Sequence, residues 1–355
     1  MSLNDAPLAL TFDDVTLAPV HSTVKSRKEP DVTTKIGFIT YKSPIVSSPM
    51  NTVTEEEMVY AVKESGGEAV VHRYMSIPQQ LEIIKKINDM IEGPLSFDGD
   101  LPYFAIGATG DHLERFDELY KAGVRKFCID VANGHSEICV DATNRLSQRK
   151  SDAIIMAGSV CNSEGAYRLL EAGARVIRVG IGNGSMCITR LVTGHGIPQM
   201  TALEDVCTFM KEDGWDDRFG VIADGGIRHS GDIIKALAIG ADAVMLGNLL
   251  AGTEESPGQT HKDPETGELY KIYAGMASEE GRSEWFDRAA TSFVPEGVST
   301  KMPFKGSAYK ILDNLIGGLK TGMSWSNART LEELRKNAKW VRVSNAGHSE
   351  GLPRR

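Results

Sequence analysis

A closed parallel α/β barrel is the architecture this sequence predicts, and three observations predict it. Eight short apolar runs, at 45–48, 68–72, 103–108, 126–131, 154–160, 176–182, 220–223 and 243–249, recur along the chain. Amphipathic stretches of helical spacing lie between them, at 55–64, 78–90, 113–122, 164–172 and 231–238, and several run into a glycine where a helix would stop. No shift of composition and no Pro- or Ser-rich linker divides the 355 residues. One (β/α)8 barrel domain over 1–355 is therefore expected. The competing architecture is a doubly wound open sheet, but no GxGxxG opens its first helix.

Two regions stand outside the repeat. An N-terminal arm, 1–42, carries Phe12-Asp13-Asp14-Val15 and Ser22-Thr23-Val24-Lys25-Ser26-Arg27. The segment 251–306 interrupts the last unit before a helix expected at 308–319. It is far longer than an ordinary connection in such folds and is expected to act as a lid or flap, with Gly252, Pro257-Gly258, Gly267 and Gly281 denying it one continuous helix.

At 41% hydrophobic and 25% charged residues the composition is that of an ordinary globular protein. A net charge of -9 without a long Lys/Arg run argues against nucleic acid or an anionic membrane as partner. A phosphorylated ligand would have to be held by local dipoles and a few basic groups. No apolar run approaches the roughly 20 residues of a membrane span, and Met1-Ser2-Leu3-Asn4-Asp5 is unlike a signal peptide, so a cytoplasmic protein is expected. The five cysteines, Cys128, Cys139, Cys161, Cys187 and Cys207, are odd in number and lack CxxC spacing, which predicts reduced thiols rather than disulfides or a zinc site.

Barrel enzymes carry their chemistry on the loops that follow the strands. Read there, the sequence offers Ser48-Pro49-Met50-Asn51-Thr52, His72-Arg73-Tyr74, Asp130-Val131-Ala132-Asn133-Gly134, the loop around Cys187, Asp224-Gly225-Gly226 and Gly247-Asn248. All are polar or glycine-rich, on one predicted face. Gly225, Gly226, Gly247 and Asn248 follow the seventh and eighth runs, where barrels commonly hold phosphate on backbone amides. Asp224 would repel phosphate and suits a ribose diol instead.

The sixth run feeds Gly180-Ile181-Gly182-Asn183-Gly184-Ser185-Met186-Cys187-Ile188-Thr189-Arg190. Three glycines spaced by two expose backbone dipoles, a cysteine follows, and a hydroxyl stands two residues beyond it. Isolated cysteines at strand ends are usually buried packing groups, but this setting favours a nucleophile with Thr189 as proton-transfer partner.

This loop resembles the active-site cysteine loop of the inosine-monophosphate dehydrogenase and guanosine-monophosphate reductase family, with Asn183 where the family usually has proline. The resemblance extends from Phe12-Asp13-Asp14-Val15 to Val341-Arg342-Val343. It implies a covalent bond from Cys187 to C2 of a purine, and a purine nucleoside monophosphate and a nicotinamide cofactor as ligands. Ser48, Met50, Ser185, Asp224, Gly225, Gly226, Gly247 and Asn248 would touch the nucleotide. Tyr273-Ala274-Gly275-Met276-Ala277-Ser278 resembles the segment that closes over phosphate and base, so Tyr273, Gly275, Met276 and Ala277 join that set. Phe293-Val294-Pro295-Glu296-Gly297 resembles the base-reading piece, with Gly297 a contact and Glu296 a catalytic carboxyl that would accept ring N–H groups or protonate a departing amine. Ser26, Arg27, Arg73, Asp130, Val131, Ala132, Ile181 and Gly182 match cofactor positions, and the cationic forks suit the 2'-phosphate of NADPH. Backbone carbonyls of Gly182, Gly184, Cys187 and Arg190 would hold a potassium ion. A homotetramer is implied as well.

The direction of the reaction divides the motifs. Reductase-like pieces are Asp130-Val131-Ala132-Asn133-Gly134-His135, Val192-Thr193-Gly194-His195-Gly196-Ile197-Pro198-Gln199 and Ser22–Arg27. Dehydrogenase-like pieces are Leu250–Gly258, Met75-Ser76-Ile77 and Val343–Gly347. Dehydrogenases usually insert regulatory repeats after the second strand, where 75–103 has room only for a helix and a loop. They also activate water with an Arg-Tyr pair, where this chain reads Ser283-Glu284-Trp285-Phe286, with Arg282 and Arg288 nearby. The expectation is a reductase acting on guanosine monophosphate or a closely related guanine nucleotide. The alternatives are a dehydrogenase without regulatory repeats and a non-catalytic nucleotide-binding relative.

Overall fold

The computed structural model describes residues 6–92, 101–215, 218–275, 278 and 295–353. The arm forms β1 (Val15–Leu17), β2 (Thr34–Ile36) and β3 (Ile39–Tyr41). The barrel strands are β4 (Ile45–Ser47), β5 (Glu68–Val71), β6 (Tyr103–Ile106), β7 (Lys126–Asp130), β8 (Ile154–Val160), β9 (Val176–Val179), β10 (Gly220–Asp224) and β11 (Ala243–Leu246). They close in sequence order with every neighbour parallel, and β11 returns to β4. The predicted (β/α)8 barrel is the observed fold.

Around it run α1 (Glu56–Glu64), α2 (Ile77–Glu92), α3 (His112–Lys121), α4 (Glu137–Arg149), α5 (Ser163–Glu171), α6 (Thr189–Thr193), α7 (Gln199–Glu212) and α8 (Ser230–Ile239). The amphipathic stretches expected from the sequence do not include α4, α6 or α7. The α4 run Glu137-Ile138-Cys139-Val140-Asp141 mixes polar with apolar positions, and its stripe reduces to Cys139, Ala142, Thr143 and Leu146. Small and polar residues of that kind carry little periodic signal.

Strand alternation divides the core into two layers. Outward residues such as Phe104, Phe127, Ile155 and Ile177 meet the helices. Inward ones, Val46, Val70, Tyr103, Ala105, Cys128, Met156, Ile222 and Met245 among them, fill the barrel. Ile36 and Tyr41 of the β2–β3 hairpin join that inner cluster and seal the lower end. β1 pairs antiparallel with β15 (Trp340–Arg342), after α9 (Ala308–Trp325) and α10 (Leu331–Asn337) and before α11 (Asn345–Glu350). Of the long insertion, the described part is an antiparallel sheet of β12 (His261–Lys262), β13 (Leu269–Ala274) and β14 (Ser299–Pro303). Among the described residues no helix is long and apolar enough to cross a membrane.

The lower barrel encloses a charge cluster. Glu68 Oε1 meets Lys63 Nζ at 2.8 Å, and its Oε2 meets Lys126 Nζ and the Tyr41 hydroxyl, each at 2.7 Å. The two ammoniums outweigh the burial that pushes Glu68 upward, so its pKa falls from the usual 4.5 to about 2. A carboxyl that binds its proton more weakly in the folded state stabilises the fold above pH 4.5, and that stabilisation is lost as pH falls from 4.5 through 2. Glu68→Ala strands two buried ammoniums and is expected to cost about 3–5 kcal/mol in urea unfolding at pH 7, with a smaller deficit at pH 3. Equal deficits at both values would show that the charge is not what Glu68 contributes.

Candidate active site

The residues that follow β4, β5, β7, β9, β10 and β11 converge at the upper mouth, where two cavities share walls. One, of about 300 Å³, is lined by Ser48, Met50, Arg73, Asp130, Val131, Ala132, Ile181, Cys187, Thr189, Glu296 and Gly297 among others. The other, of about 590 Å³, takes in Gly225, Gly226, Arg228, Gly247, Asn248 and the arm residues Thr11, Phe12 and Asp13. Gly182, Asn183, Gly184, Ser185, Asp224 and Tyr273 face both.

The nucleophile loop is held by backbone. Ile188 N donates to Glu296 O at 2.8 Å and Val298 N to Met186 O at 3.0 Å, which makes Cys187 and Gly297 an antiparallel bridge pair. Gly275 N donates to Val298 O at 2.9 Å, so the β13 edge continues the same ladder. This zipper carries the insertion onto the cysteine loop. The Cys187 thiol then donates to Thr189 Oγ1 at 3.1 Å, and Thr189 Oγ1 donates to Glu296 Oε2 at 2.9 Å. A proton path thus runs from sulfur to carboxylate, its last step joining Thr189 to Glu296, 107 positions apart.

Burial pushes the thiols of Cys128, Cys139 and Cys207 up to about 12, 11 and 12, and that of Cys161 also upward. Those four are protonated spectators at neutral pH. Cys187 is half-buried and is the cysteine on the cavity wall.

Gly180 has φ +149, and a Cβ there would come within 2.0 Å of the Asp224 carbonyl. Strand β9 can therefore pass this close to β10 only with glycine at that place. Asn183, the expected departure from proline, donates from Nδ2 to the same carbonyl at 3.0 Å. Asp224 accepts from the Ser159 hydroxyl at 2.9 Å, and burial raises its pKa, opposed by Arg178 and Ser159. Ser48, which lines both cavities, has a buried Oγ without a hydrogen-bond partner among the described residues. Tyr273 OH lies 3.2 Å from Ser185 Oγ and 3.8 Å from Met50 Sδ, joining three of the residues expected to touch nucleotide.

On the other side Arg73 Nε donates to the Asp130 carbonyl at 3.2 Å, with Tyr74 under its guanidinium at 4.8 Å. Beside Val131 and Ala132 this forms a groove contiguous with Cys187 whose polar rim suits a nicotinamide group. Ser26 and Arg27 are not part of it. Their stretch of the arm lies against the C-terminal end of α9, with Thr23 bonded to Asn327 and Glu29 paired to Arg329. Within one chain the structure therefore does not bring Ser26 and Arg27 together with Cys187. Gly184 O accepts from Cys187 N and Arg190 O from Gly194 N, both at 3.1 Å, and each carbonyl keeps a second lone pair. The all-oxygen set of Gly182, Gly184, Cys187 and Arg190 fits a hard monovalent cation by donor chemistry. Met276, Ala277, Arg282, Arg288 and the 283–286 tetrapeptide lie outside the described residues.

Four contributors escaped the sequence reading: Arg178, Ser159, Asn183 as a hydrogen-bond donor, and Arg228. Arg178 sat inside an apolar run, so nothing but its charge marked it. With Cys187 half-exposed, iodoacetamide on the native protein is expected to label Cys187 at least about tenfold faster than the other four, because thiolate fraction and access both set the rate. Peptide mapping that finds Cys161 or Cys207 labelled first would refute this assignment.

Residues 9–354 match the family model described as the IMP dehydrogenase / GMP reductase domain. The chain is 30% identical to an inosine-5'-monophosphate dehydrogenase of Nitrosopumilus maritimus, covering 97% of this chain and 98% of the relative. It is 38% identical to the enzyme of that name from Staphylococcus saprophyticus, over 91% of this chain and 67% of the relative. A crystal structure of GMP reductase from Trypanosoma brucei in complex with guanosine 5'-monophosphate superposes with a TM-score of 0.89 at 28% identity, covering 99% of this chain and 98% of that one. This chain belongs to the IMP dehydrogenase / GMP reductase family of oxidoreductases.

Proposed function

We propose that this protein catalyses NADPH-dependent reductive deamination of guanosine monophosphate, or a closely related guanine nucleotide, to inosine monophosphate and ammonia. The observation that carries the reading is the relay from Cys187 through Thr189 to Glu296. The thiol proton passes along it to the carboxylate as sulfur attacks C2 of the purine. Glu296, now an acid, returns a proton through Thr189 to the 2-amino group, the C–N bond breaks, and ammonia leaves a thioimidate on Cys187. The nicotinamide cofactor, when bound, supplies hydride to C2. The C–S bond then breaks and Cys187 departs as thiolate, ready to be protonated. Asp224 holds the ribose hydroxyls, Ser48 and the Gly225-Gly226 and Gly247-Asn248 amides the phosphate, and Arg73, Asp130, Val131, Ala132, Ile181 and Gly182 the cofactor.

The same reading has Met276 and Ala277 cover the base, and the carbonyls of Gly182, Gly184, Cys187 and Arg190 bind potassium without entering a step. Because Ser26 and Arg27 lie at the far end of the barrel, their cofactor role requires a neighbouring copy, in keeping with a homotetramer. The single-barrel organisation also supports a reductase, since α2 alone fills 77–92 where regulatory repeats would enter.

A second reading is inosine-monophosphate dehydrogenase, which the names of the sequence relatives favour. It needs a base for water, and Ser283-Glu284-Trp285-Phe286 supplies neither Arg nor Tyr. Absorbance at the nicotinamide wavelength separates the two. Guanosine monophosphate with NADPH is expected to consume cofactor and release ammonia. Formation of xanthosine monophosphate from inosine monophosphate and oxidised cofactor at a comparable rate would replace the first reading by the second. Cys187→Ala is expected to fold and to retain less than about 1% of turnover, and greater residual activity rules out the covalent route.

A further inference from the structure

The larger cavity is where the nucleotide phosphate is proposed to sit, yet the cations on its wall are committed. Arg228 is paired with Asp13, at 2.5 and 2.9 Å, and with Asp232 at 3.3 Å. Arg190 folds back to donate to the Ile197 carbonyl at 2.7 Å. Just behind the wall stands Lys305, which follows β14. Its backbone N donates to Gly252 O at 2.8 Å, and its ammonium donates to the carbonyl of Asn248. Asn248 belongs to the tight turn in which Leu250 N and Ala251 N close on Gly247 O, at 3.0 and 2.9 Å.

No carboxylate pairs with Lys305 among the described residues. The charged groups on the elements around it are engaged elsewhere. Glu255 accepts from Ser307 Oγ and Ala308 N, at 2.8 and 2.7 Å, at the start of α9. Glu254 and Glu255 act on Lys271 of β13, whose ammonium donates to the Ser256 and Glu254 carbonyls. The Tyr309 hydroxyl is bonded to Glu64. Burial without a counter-charge lowers Lys305 from 10.5 to about 8. A partly buried ammonium held on a carbonyl alone is costly unless its counter-charge arrives with a ligand.

We propose that Lys305 is a positioning residue for the nucleotide phosphate, holding the Asn248 carbonyl away from the cavity so that the turn presents the Gly247 and Asn248 amides, and supplying positive charge through the wall. The proposal rests on the reading of this site as one for a purine nucleoside monophosphate. A bound phosphate dianion favours the charged amine, so binding draws a proton onto Lys305 near pH 8, and affinity declines as pH rises past that value.

The test is calorimetric titration of the full chain, without cofactor, using guanosine monophosphate and guanosine from pH 7 to 9.5 in buffers of different ionisation enthalpy. Wild type is expected to take up a proton near pH 8 on binding the monophosphate and none on binding guanosine. Lys305→Met is expected to weaken the monophosphate by about tenfold, the order of one partly screened charge interaction, with guanosine unchanged and the uptake abolished. Lys305→Arg restores affinity without the pH dependence. Equal loss for both ligands in Lys305→Met, or unchanged monophosphate affinity, overturns the proposal. Absence of proton uptake in wild type overturns it without any variant. Failure of wild type to bind any purine nucleoside monophosphate overturns the functional reading, and this role with it, and is distinguishable from the other outcomes.

Discussion

Arg178 is the strut at the mouth of the barrel. It projects inward from β9, almost wholly buried, and its Nη2 donates to Asp130 at 2.9 Å while its Nε lies 3.6 Å from Asp224. One guanidinium thereby fixes the carboxylate on the groove beside Arg73 relative to the one in the nucleotide cavity. The planar fork suits that task where an ammonium would not. Room for it comes from β8, since a Cβ on Gly158 would stand 2.8 Å from that of Arg178. Without the arginine, two carboxylates would face each other in a low-dielectric mouth, and Asp224, already pushed upward by burial, would go further toward the neutral acid.

Around this strut the chemistry is divided between rigid and added parts. The barrel provides Asp130, Ser159, Arg178 and Asp224 from strand ends, positions set by the register of parallel pairing. The insertion supplies Glu296 and Gly297, which two ladder hydrogen bonds join to the cysteine loop. A carboxyl delivered in this way reaches Thr189 only when the bridge between Cys187 and Gly297 is formed. The proton path and the bridge between the insertion and the cysteine loop are built from the same residues.

The barrel was legible because short apolar runs and helical stripes are local signals, and each of the eight runs contains its observed strand almost unchanged except at the carboxyl end of β10, which reaches Asp224. The loops after the strands were legible for the same reason: once strands are placed, the mouth follows. Long-range partners were not. Nothing near Thr189 announces Glu296, nothing in the run 176–182 announces that Arg178 reaches Asp130 on β7, and Asn183 reads as a weaker proline until its amide is seen on the Asp224 carbonyl. Ser26 and Arg27 show the opposite failure. They match by motif, but within one chain their neighbours Thr23 and Glu29 tie the arm to Asn327 and Arg329, just beyond α9, and no pattern within the arm encodes that.

Asn183 changes how the nucleophile loop keeps its shape. Proline stiffens a chain whether or not the chain is folded, by removing conformations from the unfolded ensemble. A side-chain amide bonded to Asp224 O does nothing for the unfolded chain and acts only once β10 is in place beside β9. The order of this loop is therefore borrowed from the barrel and held by enthalpy instead of covalent restriction. The amide adds to the backbone bonds that Gly184 and Glu296 accept from Cys187 and Ile188. A change at Asn183 would therefore act on the folded loop and leave the unfolded chain as it is, where a change at a proline would act on both.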